Sequence, residues 1–438
     1  MRDFAISDSP AVQQQLDRLA ALSLPQGRIG LAPVRELLSR LGEPHLSLPP
    51  VFHIAGTNGK GSTSAFLRAM LEAGGLRVHQ FTSPHLVRYN ERIRLAGLLI
   101  SDADLANVLR EVLDMGEDIG ASFFEITTAA AFLAFTRTPA DACVIEVGLG
   151  GRFDATNVIE HPACCAIASL GMDHERFLLA PEDGAPTHPL ARIAFEKAGI
   201  IKPASPVVTQ AYPPEAQSEI ERAAMIAGAP LHMRGADWDA TAADFIAYRD
   251  RHGELALPLP TLPGAFQSLN ASLAVAMIRH QDRISVTSEA MAQGIRAAHW
   301  PARLQWLGAG PLTAGGAKLL LDGGHNPDAA RVIADYLAGL GEPVHAVVAM
   351  LAAKDAKGYL EPLAPHLASL TAIPVPDGHE GHQPAPLAAI ATDLRIASRH
   401  AETLNEALAN LPTGEPVLIG GSLYLAGEVL RANGELPD

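Results

Sequence analysis

Cysteine is scarce, with three residues, Cys143, Cys164 and Cys165, in a chain of 438. Cys143 lies inside an apolar run, and the adjacent pair at 164 and 165 has no metal-ligand spacing and cannot readily bridge to itself. Neither a disulfide framework nor a zinc site is built from these; buried thiols in a reducing compartment fit them. Basic residues are outnumbered, 33 Lys and Arg against 48 Asp and Glu, for a formal charge of −15. That balance argues against nucleic acid or a membrane surface as a partner, while leaving room for a local basic pocket. No apolar run is long and uncharged enough to span a bilayer, and the first ten residues lack a signal-peptide core, so a soluble cytoplasmic protein is expected. There is no G-x-S-x-G elbow, no Cys/His array with zinc spacing, no basic aromatic patch and no internal repeat. Aromatic residues make up 5% of the chain, while the apolar share is 48%, ample for real cores of the α/β kind.

What the chain does have is concentrated at 51–63, V-F-H-I-A-G-T-N-G-K-G-S-T. A short apolar run predicts a buried parallel strand. It enters Gly56, Thr57, Asn58, Gly59, Lys60, Gly61 and Ser62, and a helix pattern follows over 63–72. Strand, glycine loop, lysine, hydroxyl and helix together make a phosphate cradle. Loop N–H groups close around anionic oxygens, the helix N-terminus adds positive potential, and Lys60 supplies a full charge. The cargo this predicts is the triphosphate of ATP. The loop is a variant: Ile54 stands where the usual pattern has its first glycine, Gly61 follows the lysine, and the hydroxyl comes one place later.

Around this loop, strands and helices alternate. Strands are predicted at 76–81, 142–147, 163–170 and 206–209, with helices at 12–22, 32–41, 102–116 and 127–135. Such alternation implies a parallel sheet with right-handed crossovers, in which ligands gather at the carboxyl ends of the strands. Residues 56–62, 82–85, 146–157 and 173–174 all fall at such ends. The stretch 231–260 breaks the rhythm and reads as a small β excursion, followed by helices over 268–279 and 288–298. Beyond the break at 300–303, a second and smaller α/β rhythm runs to the end. Strands are expected there at 318–321, 344–350, 370–374 and 416–419, and helices at 327–340, 360–366, 386–391, 402–411 and 423–432. The fold expected is α/β: a P-loop-type, mostly parallel ATPase domain over 1–300 and a smaller Rossmann-like domain over 301–438. By length alone, two or three domains are expected.

The candidate chemistry sits on those strand ends. Glu146 closes an apolar strand, where it is either a solvated cap or a hard oxygen ligand for Mg²⁺ on ATP. Ser83 and His174 follow other strand ends and complete a possible metal shell. Lys197, on a helix-like run over 190–200, points to water on sequence grounds alone. In the second domain an apolar strand delivers Asp322, then Gly323, Gly324, His325 and Asn326, ahead of a helix. Asp322 either holds a ribose hydroxyl or orders the loop; His325 and Asn326 are placed to face a phosphate. Arg303, near the break, is a candidate clamp on the triphosphate. One nucleotide held between two domains is a plausible geometry. The run 148–151, G-L-G-G, lacks the spacing and the following acid of a dinucleotide fingerprint.

Taken together, G-T-N-G-K-G-S-T (56–63), T-S-P-H-L-V-R-Y-N-E-R-I (82–93), E-V-G-L-G-G-R-F-D-A-T-N (146–157), D-H (173–174), I-A-F-E-K-A-G-I-I-K (193–202), W-P-A-R-L (300–304), L-D-G-G-H-N-P-D-A-A (321–330) and G-S-L-Y-L-A-G-E-V (421–429) resemble the Mur-ligase superfamily. Within it, the resemblance is to the folylpolyglutamate synthase/dihydrofolate synthases, and the glycine after Lys60 favours that folate branch. The resemblance implies that Gly59, Lys60 and Ser62 bind triphosphate and that Ser83, Glu146 and His174 ligate Mg²⁺. Lys197 matches a carbamylated lysine facing a second Mg²⁺. Asn270, Arg303 and Asp322 match nucleotide contacts, and His325 lies near the phosphates. Phe124, Phe153, Asp154 and Ala155 match the pterin pocket, as does the region 26–29. Ser422 and Tyr424 are candidates for the glutamate end.

The reaction implied is stepwise. A pteroate or folate carboxylate takes the γ-phosphoryl group of ATP, and the amine of L-glutamate then displaces phosphate. A monomer acting on small molecules is the family expectation. Two departures stand out: the 180–189 loop lengthens the link between His174 and Lys197, and Phe266 replaces a more usual histidine. The rival readings are another amino-acid ligase of the superfamily, a P-loop phosphotransferase, and a nonenzymatic nucleotide switch.

Overall fold

The apolar runs form the middle of an eight-stranded sheet, seen in a computed structural model that describes residues 6–22, 30–412 and 414–437. The segment 26–29 named above lies outside the described residues. Across the sheet the strands run Leu98–Leu99, Ile93–Leu95, Val78–Phe81, Ala142–Glu146, Val51–Ala55, Cys164–Ile167, Val207–Thr209 and Leu231–Met233. The six from Val78–Phe81 onward pair in parallel; the first two form an antiparallel hairpin on the edge. The central strands are buried along their whole length, which is why they read as continuous apolar runs rather than alternating ones.

The strand Val51–Ala55 pairs with Ala142–Glu146 on one side and Cys164–Ile167 on the other. It is therefore where the connections diverge to the two halves of the sheet, the position at which α/β proteins open a ligand crevice. Register fixes what meets there. Ile54 lies opposite Glu146 and also opposite Ala166, and Phe81 lies opposite Ile145. Glu146, the loop that begins at Gly56, Ser83 and the 168–174 segment consequently leave the sheet at one edge.

Helix boundaries differ from the sequence reading where a cap decides them. The phosphate-loop helix begins at Lys60, three residues earlier than its apolar pattern, because Gly59 enters it from a left-handed conformation (φ 83°). The helix expected over 127–135 runs Phe123–Arg137, started by a capping box: Ser122 N donates to Glu125 Oε2 (2.7 Å) and Glu125 N to Ser122 Oγ (3.4 Å). A helix absent from the sequence reading, Pro214–Ala227, starts behind Pro213 and stops at left-handed Gly228. The expected β excursion is a three-stranded antiparallel sheet, Trp238–Ala242, Ile246–Asp250 and Gly253–Leu257.

The chain divides into two compact units, one of Met1–Thr261 with Gln267–His299, the other of Leu262–Phe266 with Trp300–Pro437. The second unit has its own six-stranded sheet in the order Gln305–Trp306, Lys318–Leu321, Pro416–Gly420, Val344–Val348, Leu367–Ala372 and Ser398–His400, parallel except for the first pair. Its core gathers Leu320, Val348, Leu360, Leu370 and Leu418, with Phe266 packed against it.

Candidate active site

The loop from Gly56 to Ser62 is held open by its neighbours rather than by itself. Thr57 N donates to Ser169 O (2.7 Å), Thr57 Oγ1 to Gly171 O (3.0 Å) and Ser169 Oγ to Asn58 O (3.1 Å). These bonds tie the loop to the segment that follows the adjacent strand. The N-cap of the helix Lys60–Ala73 is Gly59, which has no side chain to offer, and the amides of the first turn and the positive end of the helix dipole face the loop. The Lys60 ammonium reaches back to Gly56 O (3.1 Å) and Thr57 O (3.4 Å).

A second lysine arrives on the same carbonyl. Lys197 Nζ donates to Gly56 O at 2.9 Å from the helix Pro189–Ala198, and its side chain is buried. The sequence pointed this residue at water; packing overrides that. Burial first, then the Lys60 charge, lowers its pKa to about 7, with Asp173, Asp154 and Glu196 opposing. The close approach of its helix depends on two glycines. A Cβ on Gly151 would lie 2.8 Å from the carbonyl oxygens of Glu196 and Lys197, and one on Gly199 would lie 2.4 Å from Arg152 Cα.

Four charges beside these glycines lock the same junction. The Arg152 amide donates to Glu196 O (2.7 Å) and its guanidinium to the Glu196 carboxylate (2.8 Å). Arg152 also grips Glu182 (3.0 Å to Oε1), and Arg192 bridges Glu182 (2.9 Å) and Glu196 (3.0 Å). Glu182 belongs to the 180–189 loop, so that loop is anchored to the helix carrying Lys197. The sequence reading missed this network because charges dispersed over 152–196 carry no spacing signal.

Asn270, matched to a nucleotide contact by the resemblance, lies against the phosphate loop: a Cβ on Gly59 would lie 2.7 Å from Asn270 Oδ1. Gly59→Ala should therefore cost twice, through about 1–2 kcal/mol for a left-handed alanine and through displacement of Asn270. The expected result is weaker ATP binding and a lower denaturation midpoint, with Asn270→Ala in the same chain restoring part of the midpoint but not the ATP affinity. ATP titration and chemical denaturation of the single and double variants measure both.

Glu146 is buried at the strand end, 4% exposed. His174 is left-handed (φ 52°), and its amide is held by Asp173 Oδ1 at 2.7 Å. Ser83 is half-buried and joined to Pro84 by a cis peptide. Among the described residues, no three His, Cys, Asp or Glu side chains form a metal-binding group. Mg²⁺ keeps several waters and binds through one or two carboxylates plus substrate phosphates. The buried carboxylate and the hydroxyl are hard oxygen donors of the right kind.

Next along the edge, Phe124 covers Gly148, where a Cβ would meet its ring at 2.4 Å. Phe124 also lies 5.9 Å from the Phe81 ring. Phe153 takes the Arg152 guanidinium over its ring at 4.3 Å. Asp154 is buried beside buried Ala155, and desolvation raises its pKa against the hydrogen bonds from Thr156 and Leu149.

In the second unit, Asp322 is spent on the backbone. Oδ2 accepts from Leu304 N (2.9 Å) and Oδ1 from Gly324 N (2.7 Å). Of the two roles left open for it, ordering the loop is the one the geometry fills. His325 Nδ1 lies 3.0 Å from Gly323 O, and Arg303 donates to Ala302 O at 2.9 Å. Asn326 and Ser422 cap helices, accepting from Ala329 N (2.9 Å) and Tyr424 N (3.1 Å). Tyr424 stacks on His379 with ring centroids 3.6 Å apart.

Residues 305–432 match the family model described as dihydrofolate synthetase, C-terminal domain. A dihydrofolate synthase/folylpolyglutamate synthase of Escherichia coli is 32% identical over 407 residues, covering 92% of this chain and 91% of its own. The chain belongs to the folylpolyglutamate synthase/dihydrofolate synthase family. Solved members have the same two-unit α/β fold. A structure of E. coli FolC in complex with DHPP and ADP superposes with a TM-score of 0.84 at 31% identity, covering 97% of both chains. A Yersinia pestis bifunctional folylpolyglutamate synthase/dihydrofolate synthase complexed with AMPPNP and a Mn ion gives 0.83 at 31% identity, covering 97% and 98%. The family that the sequence motifs resemble is thus the one the chain belongs to.

Proposed function

We infer that this edge of the sheet couples ATP cleavage to amide formation between L-glutamate and a pterin-bearing carboxylate. The chain is an ATP-dependent carboxylate–amine ligase of its family, using ATP and a divalent metal. The observation that carries the site assignment is the convergence of Lys60 and Lys197 on the Gly56 carbonyl, beside a helix N-terminus entered through Gly59.

In this reading Gly56, Thr57, Asn58, Gly59, Gly61 and Ser62 cradle the triphosphate, and Lys60 exchanges its loop carbonyls for phosphate oxygens. Asn270 borders the loop. Ser83, Glu146 and His174 would hold Mg²⁺, and a carbamate on Lys197 a second ion; bound there, the metal neutralises phosphate charge. Phe124, Phe153, Asp154 and Ala155 hold the pterin. Within the second unit, Arg303, Asp322 and His325 are assigned to the nucleotide, Asp322 indirectly through the loop it orders, and Ser422 to the substrate end.

The substrate carboxylate attacks the γ-phosphorus, and ADP leaves with the β–γ bridging oxygen. The glutamate amine then attacks the acyl carbon, phosphate leaves, and the nitrogen loses a proton. No covalent bond to the protein is needed; positioning and charge carry the catalysis. The resemblance and the net charge of −15 also support a cytoplasmic monomer without nucleic-acid or membrane partners. None of the described helices is long and apolar enough to cross a membrane.

The test is phosphate release from ATP and Mg²⁺, with dihydropteroate or tetrahydrofolate and with glutamate omitted in turn. Full release should require both the pterin substrate and glutamate. Release indifferent to both would favour a phosphotransferase or a switch.

A further inference from the structure

The strand Val51–Ala55 is buried throughout and needs only apolar side chains to pack, yet its middle residue is a histidine with no measurable exposure. His53 Nε2 lies 2.8 Å from Thr156 Oγ1. Thr156 Oγ1 in turn lies 2.5 Å from Asp154 Oδ1, which also takes the Thr156 amide at 3.0 Å. His53 Nδ1 has no hydrogen-bond partner among the described residues. A buried imidazole with one idle nitrogen is costly to keep, and it calls for a reason.

The proton directions in this row are forced. An ionised carboxylate only accepts, so the Thr156 hydroxyl donates its single proton to Asp154. The Thr156 oxygen is then an acceptor for His53, which must carry its proton on Nε2. Burial keeps that ring neutral, its pKa lowered to about 3. Both donors of Thr156 therefore fill Oδ1. Oδ2 accepts the Leu149 amide at 2.9 Å, with the Gly148 backbone also acting on the carboxylate, and it is the oxygen that Thr156 does not occupy.

We propose that His53 and Thr156 are positioning residues that fix the rotation of the Asp154 carboxylate and present Oδ2 to the N–H donors of the pterin ring. The proposal rests on the assignment of Asp154 to the pterin. His53 acts only through Thr156, and neither residue touches ATP in this scheme. The pterin KM is therefore the quantity they control.

The experiment compares Thr156→Val with Thr156→Ser, and His53→Leu with His53→Gln, in the full chain, with thermal melts to establish folding. Removing the donor should raise the KM for dihydropteroate about tenfold in T156V, the worth of one charge-assisted hydrogen bond, and about fivefold in H53L, which loses a neutral one. The KM for ATP should stay at its wild-type value. T156S and H53Q retain a donor and should keep the dihydropteroate KM within about threefold of wild type. Equal effects within each pair, or dihydropteroate and ATP constants moving together, would reduce the row to packing and overturn the proposal. Asp154→Asn separates the layers. If it leaves the dihydropteroate KM unchanged, the Asp154 assignment fails and takes this inference with it. If it raises that KM while T156V and H53L do not, the inference alone fails. Should H53L not fold, the threonine pair decides.

Discussion

Lys60→Ala should lower pterin- and glutamate-dependent phosphate release by at least about 100- to 1000-fold, the usual cost of losing a single charge-stabilising donor at a transition state. The argument starts from where the ammonium is now. It lies on Gly56 O and Thr57 O, two carbonyls of its own loop, at the N-terminus of the helix Lys60–Ala73. Both contacts are part-buried and the second is long, so their loss should cost little stability. The loop itself is held by Thr57 and Ser169 across the neighbouring strand end, and those bonds remain. The helix dipole and the loop amides also remain, so ATP should still bind, though more weakly. The deficit should therefore fall mainly on turnover at saturating ATP. Phosphate release under saturating substrates, with an unchanged denaturation midpoint, is the measurement. Turnover near wild type in a folded Lys60→Ala protein would remove the triphosphate from this loop.

How much of this was legible beforehand depended on whether the cause was local. The strand ending at Glu146 announced itself as an apolar run closed by one acid, and the structure makes that acid the last residue of the strand. The phosphate loop was legible for the same reason: strand, glycines and helix are adjacent in the chain. The capping box at Ser122 and Glu125 was present as a local signal and passed unread, which placed that helix start four residues late. Lys197 is the opposite case. Its helix has an ordinary amphipathic pattern, and only the close approach permitted by Gly151 and Gly199 turns the lysine inward. Gly151 is far from Lys197 in the chain, so no local pattern around the lysine marks it as buried; the resemblance supplied its role. The anchoring of the 180–189 loop by Glu182 was invisible likewise, since its two arginine partners sit at 152 and 192. Asp322, Asn326 and Ser422 show a third kind of limit. A carboxylate, amide or hydroxyl at a loop–helix junction reads equally as ligand or as backbone cap, and here each is occupied by backbone amides.

Activity should fall by more than about tenfold per pH unit below pH 7, because two protons are released for each carbamate formed from an ammonium, and the loss should be resisted by added bicarbonate, if Lys197 works as a carbamate. Only the neutral amine combines with carbon dioxide, the nitrogen–carbon bond forming as one proton is released. An ordinary lysine, with a pKa near 10.4, would be almost wholly protonated at neutral pH. Burial and the Lys60 charge bring Lys197 down to about 7, where half the amines are competent. The same shift sets a stability trend. The unfolded chain holds this proton up to about pH 10.4 while the folded chain releases it near 7, so between those values the unfolded state binds more protons. The contribution of Lys197 to stability therefore rises with pH across that window and is at its lowest below 7. Carbamate formation, which also releases protons from the folded state, acts in the same direction. Lys197→Met cannot titrate, so its stability relative to wild type should be highest at pH 6.5 and should decline by pH 9.5. Urea midpoints at the two pH values, together with a carbamate carbon signal from wild-type protein in ¹³C-bicarbonate that Lys197→Met lacks, test this. A pH-independent difference, with no carbamate signal and no bicarbonate effect on activity, would mean that Lys197 stays an ammonium and serves only to brace the Gly56 carbonyl.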